Sequence, residues 1–330
     1  MKDTAPTDLT QPTRLPAGGP NAIGHMLGLL GDEWTLLLLQ QALQGVTRYG
    51  QFKETLPISN SVLTARLRSL SEAELLERHV YQSNPERAEY LTTPRSRSLW
   101  PVMLAIWEWE RQWVPEHPAP LPAMHHSVCG HDFAPVVVCQ ACGKPFEPRE
   151  VVAEWGPSGS WARSVPQATT RRRWEPEAGH QYPGLFPQTM AIFGNRWSSA
   201  LMGAAFRGVT RFTDFEANLG APPTLVADRL RSFCAIGVLE PRANPDRPDW
   251  AEYGLTPKGR AFYPVIAASI AWAEHWFVSP EGRAVVQHHR TCGEELTAIF
   301  TCDQCERPLA GNDVTVVPAD DARDPHEGEA

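Results

Sequence analysis

SNSVLTARLRSLSEAELLERHVYQSNPERAEYLTTP, residues 59–94, decides the fold of this 330-residue chain. Ser59-Asn60-Ser61 offers the chemistry of a helix N-cap, where a side-chain oxygen accepts from an otherwise unpaired backbone N–H. Leu63, Leu67 and Leu70 then recur at i, i+4 and i+7, which predicts a helix to about Glu74 with that stripe toward the core. The opposite face carries Asn60, Ser61, Thr64, Ala65 and Arg68. Two strand-like runs follow, Glu77 to Tyr81 and Ala88 to Thr92, with the turn residues Ser83-Asn84-Pro85-Glu86 between them.

Upstream, Met26, Leu27 and Leu30 share a helical face before Gly31-Asp32 interrupts. A second helix runs through Trp34, Leu37, Leu38 and Leu43 and ends at Gly45, a residue free to take the left-handed turn of a helix terminus. A short helix from Tyr49 to Leu56 stops at Pro57. Downstream, a Trp-bearing helix from Ser98 to Trp113 closes the unit. Helices, a polar-faced helix, a hairpin and a packing helix make a winged helix-turn-helix.

The pattern is written twice. A shift of 163 residues carries Trp34 onto Trp197, Phe52 onto Phe215, Arg66-Leu67-Arg68 onto Arg229-Leu230-Arg231 and Tyr90 onto Tyr253 without a gap. Solenoid units run to about 20–50 residues, so a period this long is a duplicated domain and implies a fused dimer. The predicted fold is mainly α with small β: two winged helix-turn-helix domains, each followed by a small zinc-ribbon-like module. The boundaries read as a flexible arm 1–20, first winged helix 21–118, first module 119–152, linker 153–183, second winged helix 184–281, second module 282–318 and acidic tail 319–330.

The modules rest on cysteine spacing. His126-x2-Cys129-x9-Cys139-x2-Cys142 reappears as His289-x2-Cys292-x9-Cys302-x2-Cys305. Knuckles of this spacing place two ligands on one metal, and three thiolates with an imidazole suit tetrahedral zinc in a closed, structural site. The expectation is two zinc ions per chain, one held by each four-residue segment. His125 and His288 adjoin the favoured histidines as alternatives. Disulfides are the other reading and suit a reducing compartment poorly. Cys234, the seventh cysteine, reads as a structural thiol near the end of a core helix.

Composition is that of an ordinary globular chain, 42% hydrophobic and 21% charged. No apolar run reaches the roughly 18 residues of a membrane span. Met1-Lys2-Asp3-Thr4-Ala5-Pro6 lacks the apolar core of a secretory signal, so a cytoplasmic location without a membrane partner is expected. The net charge of −8 is concentrated: residues 311–330 hold six acids against Arg323, which leaves the body only slightly acidic. A local basic face remains open to nucleic acid. No phosphate loop, open metal site or nucleophile elbow is present, so no enzymatic role is expected.

Several motifs together resemble the HxlR-type winged helix-turn-helix regulators, bacterial transcription factors similar in fold to the MarR group. They are Gly31-x-x-Trp34, Gly45-x-x-Arg48-Tyr49-x-x-Phe52, Leu63-x-x-Arg66-Leu67-x-x-Leu70 and Glu89-Tyr90-x-x-Thr93-Pro94. Their twins are Gly194-x-x-Trp197, Gly208-x-x-Arg211-Phe212-x-x-Phe215, Arg229-Leu230 and Glu252-Tyr253-x-x-Thr256-Pro257. The chain departs from the pattern in three ways. Asn21 and Gly184 stand where many members carry a cysteine that senses redox state in some, Glu33 and Arg196 where they carry a lysine, and the metal segments are additions.

A helix-turn-helix places its last helix in the major groove, where residues near the helix N-terminus reach base edges. In the first copy Asn60, Ser61, Thr64 and Arg68 are the candidate readers, Arg66 a phosphate contact and Arg87 a wing contact. Arg78, His79, Arg95 and Arg97 are further cations for the backbone and adjacent minor groove. In the second copy the candidates are Thr224, Arg229, Arg231 and Arg247, but Asp228 replaces Ala65 on the face that approaches phosphate. Arg171-Arg172-Arg173 in the linker could follow DNA phosphates or simply be solvated.

The pairs Trp109/Trp113 and Trp272/Trp276 predict packing between the two copies, with an apolar effector pocket there as the sharper reading. The expected function is a sequence-specific, duplex-DNA-binding transcriptional regulator acting as an intrachain pseudo-dimer. Two alternatives stand beside it: a protein-interaction scaffold with little DNA affinity, and a regulator that responds to metal or redox state.

Overall fold

The computed structural model describes residues 8–115, 117, 120–165, 186–243 and 251–318. Strand β1 (Thr13–Arg14) precedes the helices α1 (Ala22–Leu30), α2 (Glu33–Leu43), α3 (Tyr49–Thr55) and α4 (Asn60–Glu72). The hairpin β2 (Leu76–Ser83) and β3 (Glu86–Thr92) follows, then α5 (Pro94–Arg97) and α6 (Trp100–Trp113). Leu63, Leu67 and Leu70 are the buried residues of α4, and Ser59 caps it by accepting from Val62 N. The paired strands run closer to the turn than the sequence pattern suggested, from Leu76↔Thr92 to Ser83↔Glu86.

The second copy repeats the order with α8 (Pro187–Phe193), α9 (Arg196–Phe206), α10 (Phe212–Leu219), α11 (Pro223–Ala235), strands β8 (Leu239–Ala243) and β9 (Ala251–Leu255), α12 (Pro257–Arg260) and α13 (Tyr263–Trp276). Between the copies lie β4 (Ala123–His126), β5 (His131–Asp132), β6 (Pro135–Cys139), β7 (Val151–Trp155) and α7 (Trp161–Ser164). After α13 come β10 (Phe277–Val278), β11 (Val285–His289), β12 (Ala298–Cys302) and β13 (Val314–Val317).

One hydrophobic core runs through both copies, from Leu36, Phe52 and Leu67 to Leu201, Phe215 and Phe233. Helices α6 and α13 pack against each other. Trp109 Nε1 donates to Lys258 O at 3.0 Å, and Trp272 Nε1 donates to Arg95 O at 3.0 Å. Shifting either bond by 163 residues gives the other, so equivalent positions of the two copies make equivalent contacts. Asp32 and Asn195, themselves equivalent positions, meet in an antiparallel bridge. Gly31 permits that approach, because a Cβ there would lie 2.4 Å from Leu27 O and 2.8 Å from Arg196 Cα.

Two segments are more structured than their composition suggested. Within the expected flexible arm, β1 pairs in parallel with β10 and Leu15 is buried. The Arg95 guanidinium of the first copy donates to Thr13 Oγ1 and Gln11 O, so the arm is held by the first copy as well as by β10. Within the expected linker, residues 153–155 belong to β7, and Asn21 Nδ2 donates to Ser158 O and Ser164 Oγ. Proline and glycine content marked these stretches as irregular, but docking on a neighbour orders them.

Candidate DNA-binding face and metal clusters

The outer face of α4 is set by its inner one. With the three leucines buried, Asn60, Ser61, Thr64, Ala65 and Arg68 are all exposed. Tyr49 Oη donates to Asn60 O at 3.1 Å and lies 3.4 Å from Thr64 Oγ1, which ties the start of α4 to α3. Arg68 is exposed and pairs with Glu72 one turn on, which raises its pKa through that hydrogen bond. Arg87 is exposed on β3, with no ion pair among the described residues.

Other cations are already engaged within the chain. Arg66 reaches back to Asp32, with Nη2 2.8 Å from Oδ2 and both side chains about two-thirds covered (36% and 31% exposed). It braces α4 on α2, an engagement that competes with the phosphate contact expected of it. Arg95 is buried, pairs with Glu74 at 3.0 Å and lies over the Trp276 ring. Arg97 is committed to Thr92 O. Arg78 pairs with Glu86, and His79 Nδ1 lies 3.3 Å from Glu89. Helical and strand periodicity shows which face a residue occupies, not that a long side chain can turn back to a neighbouring acid.

The second copy differs at the same places. Its helix α11 starts at Pro222-Pro223 with no side-chain cap, and Phe212 replaces the Tyr49 hydroxyl. Thr224 is exposed. Asn195 replaces Asp32, so Arg229 has no carboxylate of that kind, and burial lowers its pKa. Arg231 pairs with Asp228 at 2.8 Å, and Arg242 with Glu240. Arg247 and the run Arg171-Arg172-Arg173 lie outside the described residues.

The metal residues gather into two sets, but not as the spacing implied. His126 and Cys129 meet Cys302 and Cys305; Cys139 and Cys142 meet His289 and Cys292. Each set takes two residues from the segment after each copy. The segment-by-segment grouping is therefore overturned, although all eight residues take part. Strand pairing supplies the reason. Strand β6 pairs antiparallel with β12, Cys139 opposite Ala298 and Cys302 opposite Pro135. Four residue steps at about 3.3 Å carry each second knuckle roughly 13 Å along that strand, away from its own first knuckle and beside the other's. Strands β7 and β11, and β13 and β4, cross in the same way.

The geometry fits a tetrahedral ion. Cys129 and Cys302 Sγ are 3.9 Å apart, and His126 Nδ1 lies 3.4 and 3.5 Å from Cys129 and Cys305 Sγ. In the other set Cys139 and Cys292 Sγ are 4.0 Å apart, and His289 Nδ1 lies 3.4 Å from both Cys142 and Cys292 Sγ. Zinc with Zn–S of about 2.3 Å and Zn–N of about 2.0 Å needs edges near ~3.7 and ~3.5 Å. Both histidines are buried, with rings against Phe133 and Phe146. His125 instead faces Asp132 at 3.0 Å, and His288, opposite Val152 of β7, lies on the other face of β11 from His289, so neither joins a cluster. Gly130, Gly143 and Gly293, with positive φ, turn the chain immediately after a ligand.

Fold and site together define a tandem winged helix-turn-helix protein. Residues 29–118 and 192–281 each match the HxlR-like helix-turn-helix family, and the chain belongs to that family. It is 37% identical over 136 residues to an uncharacterized HTH-type transcriptional regulator of Mycobacterium tuberculosis, covering 41% of this chain and 86% of that protein. A second, from Synechocystis sp., is 37% identical over 93 residues, 28% of this chain and 69% of that one. Among solved structures, a candidate transcription factor from Pseudomonas aeruginosa shares 26% identity at a TM-score of 0.33, covering 43% of this chain and 97% of that chain. Among the described residues no helix is long and apolar enough to cross a membrane.

Proposed function

We propose that this chain is a sequence-specific transcriptional regulator of duplex DNA, in which the two copies act as an intrachain pseudo-dimer. The observation that carries the reading is the outer face of α4: Asn60, Ser61, Thr64, Ala65 and Arg68 are exposed together on a capped helix, with no acid before Glu72. Asn pairs bidentately with adenine, Arg with guanine, and the Thr methyl meets thymine. Arg87 on the wing adds a cation for the phosphate backbone. The relatives' names, HTH-type transcriptional regulators, support the class and speak against an enzymatic role.

We assign a zinc ion to each crossed ligand set. Three thiolates and one imidazole make a closed coordination shell, which supplies structure rather than chemistry. The crossing favours a second reading of regulation, in which metal loss frees the copies from each other, because each ion would join residues from both segments. The DNA reading is tested by the salt dependence of binding to a random duplex. Neutralising Z phosphates gives a slope of log K against log salt of about −0.9Z. A slope of several units is expected. A flat dependence, or no binding at low salt, would leave the protein-interaction scaffold as the better account.

A further inference from the structure

Between the copies lies a cavity of about 120 Å³ walled by α1 of the first copy, by α9 and α13 of the second, and by β7 and α7. Its lining is apolar and aromatic, including Met26, Trp155, Trp161 and Phe206. The comparison that matters is an apolar protein cavity of about 150 Å³, which is large enough to take benzene. The space therefore suits a single ring.

Two lining residues are out of keeping with an inert void. Among the described residues Tyr263 Oη is buried without a hydrogen-bond partner, and so is Arg207 Nη1. The Arg207 guanidinium lies 3.9 Å over the Trp155 ring, and burial lowers its pKa. Among the described residues Arg207 is the one cation in the lining, which contains no acid. The other lining hydroxyls are satisfied: Ser269 Oγ donates to Val265 O, Ser199 Oγ to backbone carbonyls, and Ser164 Oγ accepts from Asn21. Buried donors are almost always paired and costly to leave unpaired, so two at one apolar cavity call for an acceptor.

Gly203 adds an independent observation. It stands in the middle of α9 on the cavity wall, and a Cβ there would meet nothing within 4 Å. A mid-helix glycine is less stable there than alanine, and here its effect is to keep the space open. The first copy repeats none of these features, since Gln44, Trp100 and Gln40 occupy the positions of Arg207, Tyr263 and Gly203.

We propose that this cavity binds a small aromatic carboxylate, with the ring among the apolar walls and the anion accepting from Arg207 and Tyr263. A ligand so placed touches both copies and bears on how they sit together. This adds an effector to the regulator proposed above, and it is tested without DNA, so its failure leaves the DNA reading standing.

The probe is benzoate, titrated calorimetrically into the full zinc-loaded chain with benzamide as the uncharged control. Saturable binding at one site per chain is expected, with benzamide at least tenfold weaker. Arg207→Gln should weaken benzoate about tenfold or more, and Tyr263→Phe several-fold, in line with charged and neutral hydrogen bonds. Gly203→Leu should fill the cavity and abolish binding while keeping the helical circular dichroism of the parent. Absence of saturable benzoate binding, equal affinity for benzamide, or undiminished binding by a folded Gly203→Leu protein would each overturn the proposal. The benzoate–benzamide ratio needs no variant, so it decides the role of charge even where Arg207→Gln does not fold.

Discussion

The first copy braces its reading helix and the second does not. Helix α4 has a serine cap, a tyrosine hydroxyl on its first carbonyl and an Arg66–Asp32 pair behind it. Helix α11 has a proline start, Phe212 in place of that tyrosine and Asn195 in place of Asp32. On the outer faces, Arg68 is drawn toward the helix C-terminus by Glu72, whereas Arg231 is drawn toward its N-terminus by Asp228. Their cores match, with Leu63, Leu67 and Leu70 answered by Val226, Leu230 and Phe233. A duplicated domain thus keeps the side it buries, because packing tolerates little change, while its solvent side can diverge.

The metal clusters offer the largest test, because the two segments contribute to them equally. Cys129→Ser with Cys302→Ser strikes one crossed set, and Cys129→Ser with Cys139→Ser strikes both. The first double variant should retain about one zinc per chain and the second nearly none, by metal analysis of purified protein. The opposite order would restore the segment-by-segment grouping. Because metal binding is folding free energy for small metal modules, the second variant should also melt far below the first.

DNA affinity should follow the difference between the helices. Arg68→Ala is expected to cost on the order of 1–3 kcal/mol on a selected site at fixed salt, as for a lost base contact. Arg231→Ala should cost less, since its charge is already engaged by Asp228. Asp228→Ala should leave affinity unchanged or raise it. Equal losses from Arg68 and Arg231 would mean that the copies contribute alike.

The smallest effect concerns Glu33, whose place in the second copy is taken by Arg196. Burial, aided by the neighbouring Asp32 charge, raises its pKa from 4.5 to about 7. The folded state therefore favours the protonated acid: its contribution is fully present below about pH 4.5 and is lost as pH rises through about 7. Glu33→Gln should melt like the parent at pH 4.5 and above it at pH 8, by an amount on the order of 1 kcal/mol after solvent screening. A pH-independent difference between the two proteins would remove this account.

Much of the molecule was legible in its residues. The 163-residue shift, the leucine stripe of α4, the hairpin and the identities of all eight metal residues follow from local periodicity and spacing, which record what a segment does with its own neighbours. What could not be read locally was which segments meet. The partner of β6 is β12, so Cys139 lies beside Cys292 and not Cys129. Arg95 leaves an exposed-looking motif for a buried place under Trp276, and Arg66 turns to Asp32. Arg207, Tyr263 and Gly203 come from three unrelated patterns and meet only at one cavity. Spacing along a chain constrains contacts a few residues apart; contacts between segments distant in sequence are chosen by which surfaces bury most area and pair most hydrogen bonds, and only the tertiary structure settles that choice.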